Sequence, residues 1–174
     1  MNKGCTIKGV CGKEPATAGL MDVLIYAVRG EAIVNRALRA KGAADTAASR
    51  RILDALFSTI TNANFDDEAL KMRIAEALAT KNRLIGTAEK RGIALPGMPE
   101  VKFRPAPSEY EAEAAKVGVL SMRDEDIRSL KQLIIYGVKG AAAYAEHAAV
   151  LGYEEDAIYE FVFKALASTA RDLS

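Results

Sequence analysis

Apolar residues recur along this chain at helical spacing almost from end to end. Between residues 16 and 41 they fall at Leu20, Val23, Leu24, Ala27, Val28, Val34, Ala37 and Leu38. This is largely the i, i+3, i+4, i+7 series that gives a helix one buried face. Gly42 is a suitable stop, and Arg39 and Lys41 suit the negative end of the helix dipole. A second helix is predicted over 46–61, burying Ile52, Leu53, Leu56, Phe57 and Ile60. The segment TNANFDD then reads as a turn with Asp66 as N-cap, opening a third helix over 67–92 with Leu70, Ile74, Leu78, Leu84 and Ile85 inside. Residues 95–107 hold four of the five prolines and read as a linker. Ser108 and Glu111 have capping-box spacing for a short helix to residue 117. From Asp124 or Glu125 a long helix runs to Gly152, carrying Ile127, Leu130, Leu133, Ile134, Ile135, Val138, Ala141, Ala145 and Ala148. A last helix over about 154–173 is expected to bury Ile158, Phe161, Val162, Ala165 and Leu166. No segment alternates with period two as a half-buried strand would, so the class is all-α.

The pattern also repeats. Residues 20–30 read LMDVLIYAVRG and residues 130–140 read LKQLIIYGVKG. The register holds without a gap, Gly42 answering Gly152 and ALFST at 55–59 answering ALAST at 165–169, a constant offset of 110. It is kept over about 43 positions with roughly a dozen identities, which makes the chain two copies of one helical unit. Short connections within each copy favour antiparallel neighbours, hence two repeated antiparallel bundles. Four regions follow: 1–15, 16–94, the linker 95–107, and 108–174. Gly30 and Gly140 sit mid-helix at equivalent places, where glycine costs about 0.5–1 kcal/mol against alanine, so another backbone is expected to come close to each. Tyr26 and Tyr136, also equivalent, are expected to pack between helices.

Composition removes several classes of function. A net charge of +1 gives no electrostatic case for nucleic acid or for an anionic membrane. No apolar run approaches a membrane span, and the N-terminus lacks an apolar stretch of signal-peptide type, so the expected compartment is the cytoplasm. With no Trp and 6% aromatics, the core must be Leu, Ile, Val and Ala.

Chemistry-bearing residues are few. Cys5 and Cys11 lie in a glycine-rich loop, GCTIKGVCGKEP, ahead of the first helix. Thiolates bind soft metals and iron–sulfur clusters. Lys3, Lys8, Lys13 and the helix N-terminus after Pro15 favour the thiolate form. A single cluster takes about four ligands, so the spacing of two cysteines fits free thiols or an adventitious disulfide equally well. His147, near Tyr144 and Glu146, has no partner in sequence and reads as structural. The acidic runs Asp66–Asp67–Glu68 and Asp124–Glu125–Asp126 read as first turns of helices. No Walker loop, GxGxxG or HExxH is present.

Five stretches nonetheless resemble the N-terminal part of the hybrid-cluster proteins, also called prismane proteins or hydroxylamine reductases. They are GCTIKGVCGKEP (4–15), LMDVLIYAVRG (20–30), LFSTITNANFDD (56–67), DIRSLKQLIIYGVKGAAAYAEHAAVLG (126–152) and ALASTARDLS (165–174). The family is related to carbon monoxide dehydrogenases and reduces hydroxylamine or nitric oxide. The resemblance implies two metal centres: a four-cysteine iron–sulfur cluster (4Fe-4S or 2Fe-2S) near the N-terminus, and a hybrid iron–sulfur–oxygen cluster in later domains. It makes Cys5 and Cys11 the third and fourth ligands of the first cluster, with no counterpart here of the Cys-x-x-Cys that precedes them. It implies two helical bundles packed roughly across each other, a fragment of an oxidoreductase with the other domains of the parent enzyme as partners, and no complete cluster in this chain. The competing expectation is a metal-free helical scaffold that self-associates, as a homodimer, through apolar surface that those domains would otherwise cover.

Overall fold

The computed structural model describes residues 11–171. Its elements are α1 (Pro15–Arg39), α2 (Thr46–Ile60), α3 (Asp67–Lys90), α4 (Pro99–Lys102), α5 (Tyr110–Val117), α6 (Glu125–Val150) and α7 (Asp156–Thr169), with 3-10 turns at Pro107–Glu109 and Val119–Ser121. No strand occurs among the described residues. The helix starts at Pro15 and Thr46 are answered by starts at Glu125 and Asp156.

Local chemistry sets the boundaries. Pro15 occupies the first turn of α1, where its missing N–H costs nothing. Asp45 caps α2 through Ala48 N–H (2.8 Å), Asp66 caps α3 through the N–H groups of Glu68 and Ala69, and Asp124 caps α6 through Ile127 N–H (2.9 Å). Three helices end in the same left-handed glycine turn. Gly42, Gly92 and Gly152 have positive φ, and the next residue donates back to Leu38, Ala88 and Ala148 at 3.0, 2.9 and 3.0 Å. Two expectations need correction. The short helix is not capped by Ser108 and Glu111; Glu109 instead accepts from Ala106 N–H at 2.6 Å, two residues earlier, because Pro107 opens a 3-10 turn. The proline-rich linker contains a helical turn, α4, begun by Pro99.

Helix α1 is the axis of the molecule. Leu20, Val23, Leu24, Ala27, Val28, Val34 and Leu38 are all fully buried, because α2, α3, α4, α5 and α7 all pack against it. Its C-terminal half clusters with that of α3 through Ile33, Val34, Leu38, Leu84, Ile85 and Ala88, so the two helices pack directly and run the same way, with α2 as the return connection in the chain. The larger core joins both copies, Leu20, Leu24 and Val28 meeting Ile135, Val138, Val162 and Leu166. Helices α6 and α7 pack on each other, with α6 also against α2 and α7 against α1.

Polar groups tie this core together where it would otherwise be open. Asn35, wholly buried, donates to Asp45 O (3.2 Å) and Ser49 Oγ (3.1 Å) and accepts from Asp45 N–H (3.2 Å). Both amide N–H groups and the side-chain carbonyl thus have a partner, as a buried amide requires. Glu31, also buried, pairs with Arg51 of α2. Lys81 of α3 donates to the carbonyls of Glu100 (2.9 Å) and Phe103 (2.5 Å), which α4 leaves without helical partners. Arg29 pairs with Glu100 at 3.3 Å, and Tyr26 meets Phe103 edge-on at 4.8 Å. Gly30 completes this junction: a Cβ there would collide with the Glu100 carbonyl. The expected close backbone is therefore present at Gly30.

It is absent at Gly140, where a Cβ would meet nothing within 4 Å. The second copy departs from expectation along the same face. Leu130, Leu133, Ile134, Tyr136, Ile158 and Phe161 are exposed rather than packed, whereas Ile135, Val138, Val162 and Leu166 are buried as expected. Amphipathic spacing identifies an apolar stripe but not whether a neighbour covers it.

Two outcomes follow from the α1–α3–α4 junction. Gly30→Ala is expected to destabilise the chain by about 1–3 kcal/mol in urea unfolding, since the Glu100 backbone must move. Burial pushes the Lys81 ammonium down to about 8. The folded chain therefore releases that proton before the unfolded chain does, and stability from this site rises with pH between about 8 and 10.5. A neutral amine keeps two N–H groups for its two carbonyls. Lys81→Met orphans both, at about 1–3 kcal/mol each. The unfolding midpoint of the unmodified chain should gain on that of Lys81→Met as pH is raised from about 7.5 to about 9.5, by thermal melts at each pH.

Candidate functional site

The segment leading into α1 carries the candidate metal-binding chemistry. Cys5, Lys3 and Lys8 lie outside the described residues. Cys11 is a free, exposed thiol. Gly12 follows with φ 95°, a backbone state that side chains resist, and it turns the chain so that Lys13 faces inward while Cys11 faces out. Lys13 is almost wholly buried. Its Nζ donates to Asn62 Oδ1 at 3.2 Å and sits 4.3 Å from the centre of the Phe65 ring. Both partners belong to the turn between α2 and α3, so this one side chain fastens the cysteine segment to the first bundle. The Lys13 charge, expected from sequence to act on the cysteines, is held by Asn62 and Phe65.

Among the described residues no group of three or more His, Cys, Asp and Glu side chains is placed to hold a metal. One exposed cysteine could supply one ligand of the four a cluster takes, so the described residues alone do not fit an iron–sulfur cluster. His147 does not supply a second corner. It lies in the last turn of α6, exposed, with its ring edge-on to Phe57 at 5.2 Å, a structural contact as the sequence reading had it. Burial also pushes up the Glu146 carboxyl beside it. Tyr26 packs as expected, and burial raises its hydroxyl to about 12; Tyr136 is open to solvent.

Sequence reasoning missed a polar cleft of about 190 Å³ between α1, the turn at Val119–Ser121 and α6. Asp22, Arg29, Lys116, Arg128, Lys131 and Lys139 line it. The Asp22 carboxylate accepts from Val119 N–H at 2.9 Å. Burial pushes Asp22 up against that bond, and pushes Lys139 down against the attraction of Asp22. Lys131 donates to Arg171 O at 2.7 Å and Arg128 to Met122 O at 3.0 Å, so much of this charge secures chain turns. Residues 22 and 139 have no local signal that they share a cleft, because their proximity depends on how the copies dock.

The Prismane/CO dehydrogenase family model matches residues 1–174, so this all-helical chain belongs to that family. Its relatives include hydroxylamine reductases of Porphyromonas gingivalis (47% identical over 167 residues), Nitratidesulfovibrio vulgaris (45% over 180) and Bacteroides thetaiotaomicron (48% over 172). These alignments take in 95%, 99% and 99% of this chain but 30%, 32% and 31% of the respective relatives, so the chain spans under a third of their length. No helix among the described residues is long and apolar enough to cross a membrane.

The Lys13 clamp makes a checkable claim about the site. Lys13→Met keeps the aliphatic stem but loses the ammonium, and is expected to cost about 0.5–2 kcal/mol. Amide hydrogen exchange over residues 12–18 should quicken selectively, with the core of α3 unchanged.

Proposed function

We propose that this chain is the N-terminal helical part of a hybrid-cluster oxidoreductase that reduces hydroxylamine, cleaving its N–O bond with two electrons and two protons to give ammonia and water. The observation that carries this reading is the similarity of the whole chain to relatives named hydroxylamine reductase. Nitric oxide, also an N–O substrate, is the second substrate of the proposal. The regions 1–15, 16–94, 95–107 and 108–174 serve as cluster-loop remnant, first bundle, linker and second bundle. In the parent, Cys5 and Cys11 are two of four thiolate ligands to an iron–sulfur cluster, which would supply electron storage. Lys13 positions that loop on the α2–α3 turn. The remaining domains of the parent hold the hybrid cluster and complete the enzyme, which works in the cytoplasm.

The test is made on protein purified without oxygen. The isolated chain is expected to reduce no hydroxylamine and to hold no stoichiometric iron, since the reading assigns it two cluster thiolates of four and none of the hybrid-cluster ligands. Turnover by the metal-analysed chain alone would overturn the reading. In the full-length protein, Cys5→Ser and Cys11→Ser are each expected to reduce iron content and the thiolate-to-iron absorption of the N-terminal cluster. Unchanged iron and spectrum in both variants would remove these cysteines from the site.

A further inference from the structure

The polar cleft between α1 and α6 is built from both copies of the repeat. At the offset of 110, Asp22, Ile25 and Arg29 of α1 correspond to Gln132, Ile135 and Lys139 of α6, and all six line it. The helix packing is reciprocal in the same way. Helix α1 packs on α2 and α7, and α6 packs on α7 and α2, which is one arrangement with the copies exchanged. Among these four helices α1 and α6 therefore stand on a diagonal. The cleft opens between them, near the approximate twofold axis that relates the copies, and it receives one cation from each: Arg29 and Lys139.

These equivalent groups are unequally engaged. Arg29 donates to Glu100 Oε1 at 3.3 Å and lies over the Tyr26 ring, while Asp22 accepts from Val119 N–H. Lys139 and Gln132, their counterparts, are half-buried and make no hydrogen bond among the described residues. Asp22 attracts Lys139 without reaching it as an ion pair. Glu100 is 5% exposed, and its Oε2 is buried with no donor. A desolvated ammonium calls for acceptors and a buried carboxylate oxygen calls for a donor. Cations outnumber acids here, since Lys116, Arg128 and Lys131 also line the cleft and its only carboxylates are Asp22 and Glu100. Lys116 and Arg128 are answered from outside it by Glu113 at 2.6 Å and Glu125 at 3.6 Å. The volume of about 190 Å³ falls below the roughly 300 Å³ at which sites for drug-sized ligands begin, so the cleft suits a small molecule.

We propose that this cleft binds one small oxyanion that also carries a hydroxyl, of the kind represented by hydrogenphosphate or a hydroxycarboxylate. Lys139 and the Gln132 amide donate to its oxygens, and Glu100 Oε2 accepts its O–H. The excess of cations selects an anion, and the orphaned Glu100 oxygen selects one that can donate, because an anion with lone pairs alone would leave that oxygen unpartnered beside a like charge. With ligands drawn from α6 and from the α1–α4 junction, the anion also ties the two copies together.

Titration calorimetry on the full-length protein, with inorganic phosphate, sulfate, malate and succinate as probes, tests this. Phosphate, malate or both are expected to bind at one site per chain. Each should bind at least about tenfold more tightly than its partner without a hydroxyl, sulfate for phosphate and succinate for malate. Binding of phosphate alone identifies an inorganic oxyanion site, and binding of malate alone a hydroxy-acid site. Lys139→Met keeps the aliphatic stem and should weaken binding at least about tenfold, while the unfolding midpoint without anion holds, since Lys139 makes no hydrogen bond. Gln132→Leu, on the half-buried rim, gives a second and independent loss. Glu100→Gln can offer an N–H where Oε2 lacks a donor, and should erase the preference for the hydroxyl. No binding of any of the four at millimolar concentration would overturn the proposal. Equal affinity within both pairs of anions, or binding unaltered in Lys139→Met and Gln132→Leu, would do the same. None of these readouts depends on bound iron, so they stand or fall separately from the cluster assignment.

Discussion

Everything in this chain depends on surrounding one helix. Helix α1 has apolar residues on most of its circumference, and five other helices are needed to remove them from water. A helix enclosed on all sides leaves little room for side chains of its own, and this explains Ala27, Ala32 and Gly30 in its middle. At Gly30 the enclosure is tightest: the Glu100 carbonyl takes the place of a Cβ, and Lys81 reaches across from α3 to satisfy that carbonyl and the one at Phe103. The absence of one side chain and the full extension of another thus solve a single problem, how to bring a bare turn of backbone into the core without orphaning its acceptors.

The candidate site is tied to this arrangement through Lys13. Cys11 is four residues from the start of α1, and between them Lys13 is held by Asn62 and Phe65. Those two residues lie in the turn that α2 and α3 are obliged to make as they pack on α1. The exposed Cys11 thiol thus belongs to a segment fastened to the first bundle through Lys13.

The internal repeat shows how far one sequence pattern can be reused with different surroundings. The α1–α2 and α6–α7 pairs share helix starts, glycine stops and stripes, yet the first stripe is core and the second is surface. Where the first copy places an ion pair and a close backbone, the second places alanine, phenylalanine and open space at Ala141, Phe161 and Gly140. The interior residues that join the copies, Ile135, Val138, Val162 and Leu166, are those on the opposite side of these helices. The second pair is anchored on its inner face and vacant on its outer one.

The all-helical class, the positions of the long helices, the cap at Asp66 and the glycine stops were determined by the sequence alone, because each depends on residues within one or two turns of one another. The reading of Cys5 and Cys11 as metal ligands comes from the family resemblance alone, since two thiols do not define a site. The Lys13 clamp, the Lys81 bridge, the Asp22–Lys139 cleft and the opposite fates of Gly30 and Gly140 were decided by tertiary structure. Each brings together residues tens of positions apart or more, and local periodicity carries no information about which face acquires a neighbour. A helix needs only its own sequence to form a stripe, but that stripe becomes core only when another part of a chain arrives to cover it.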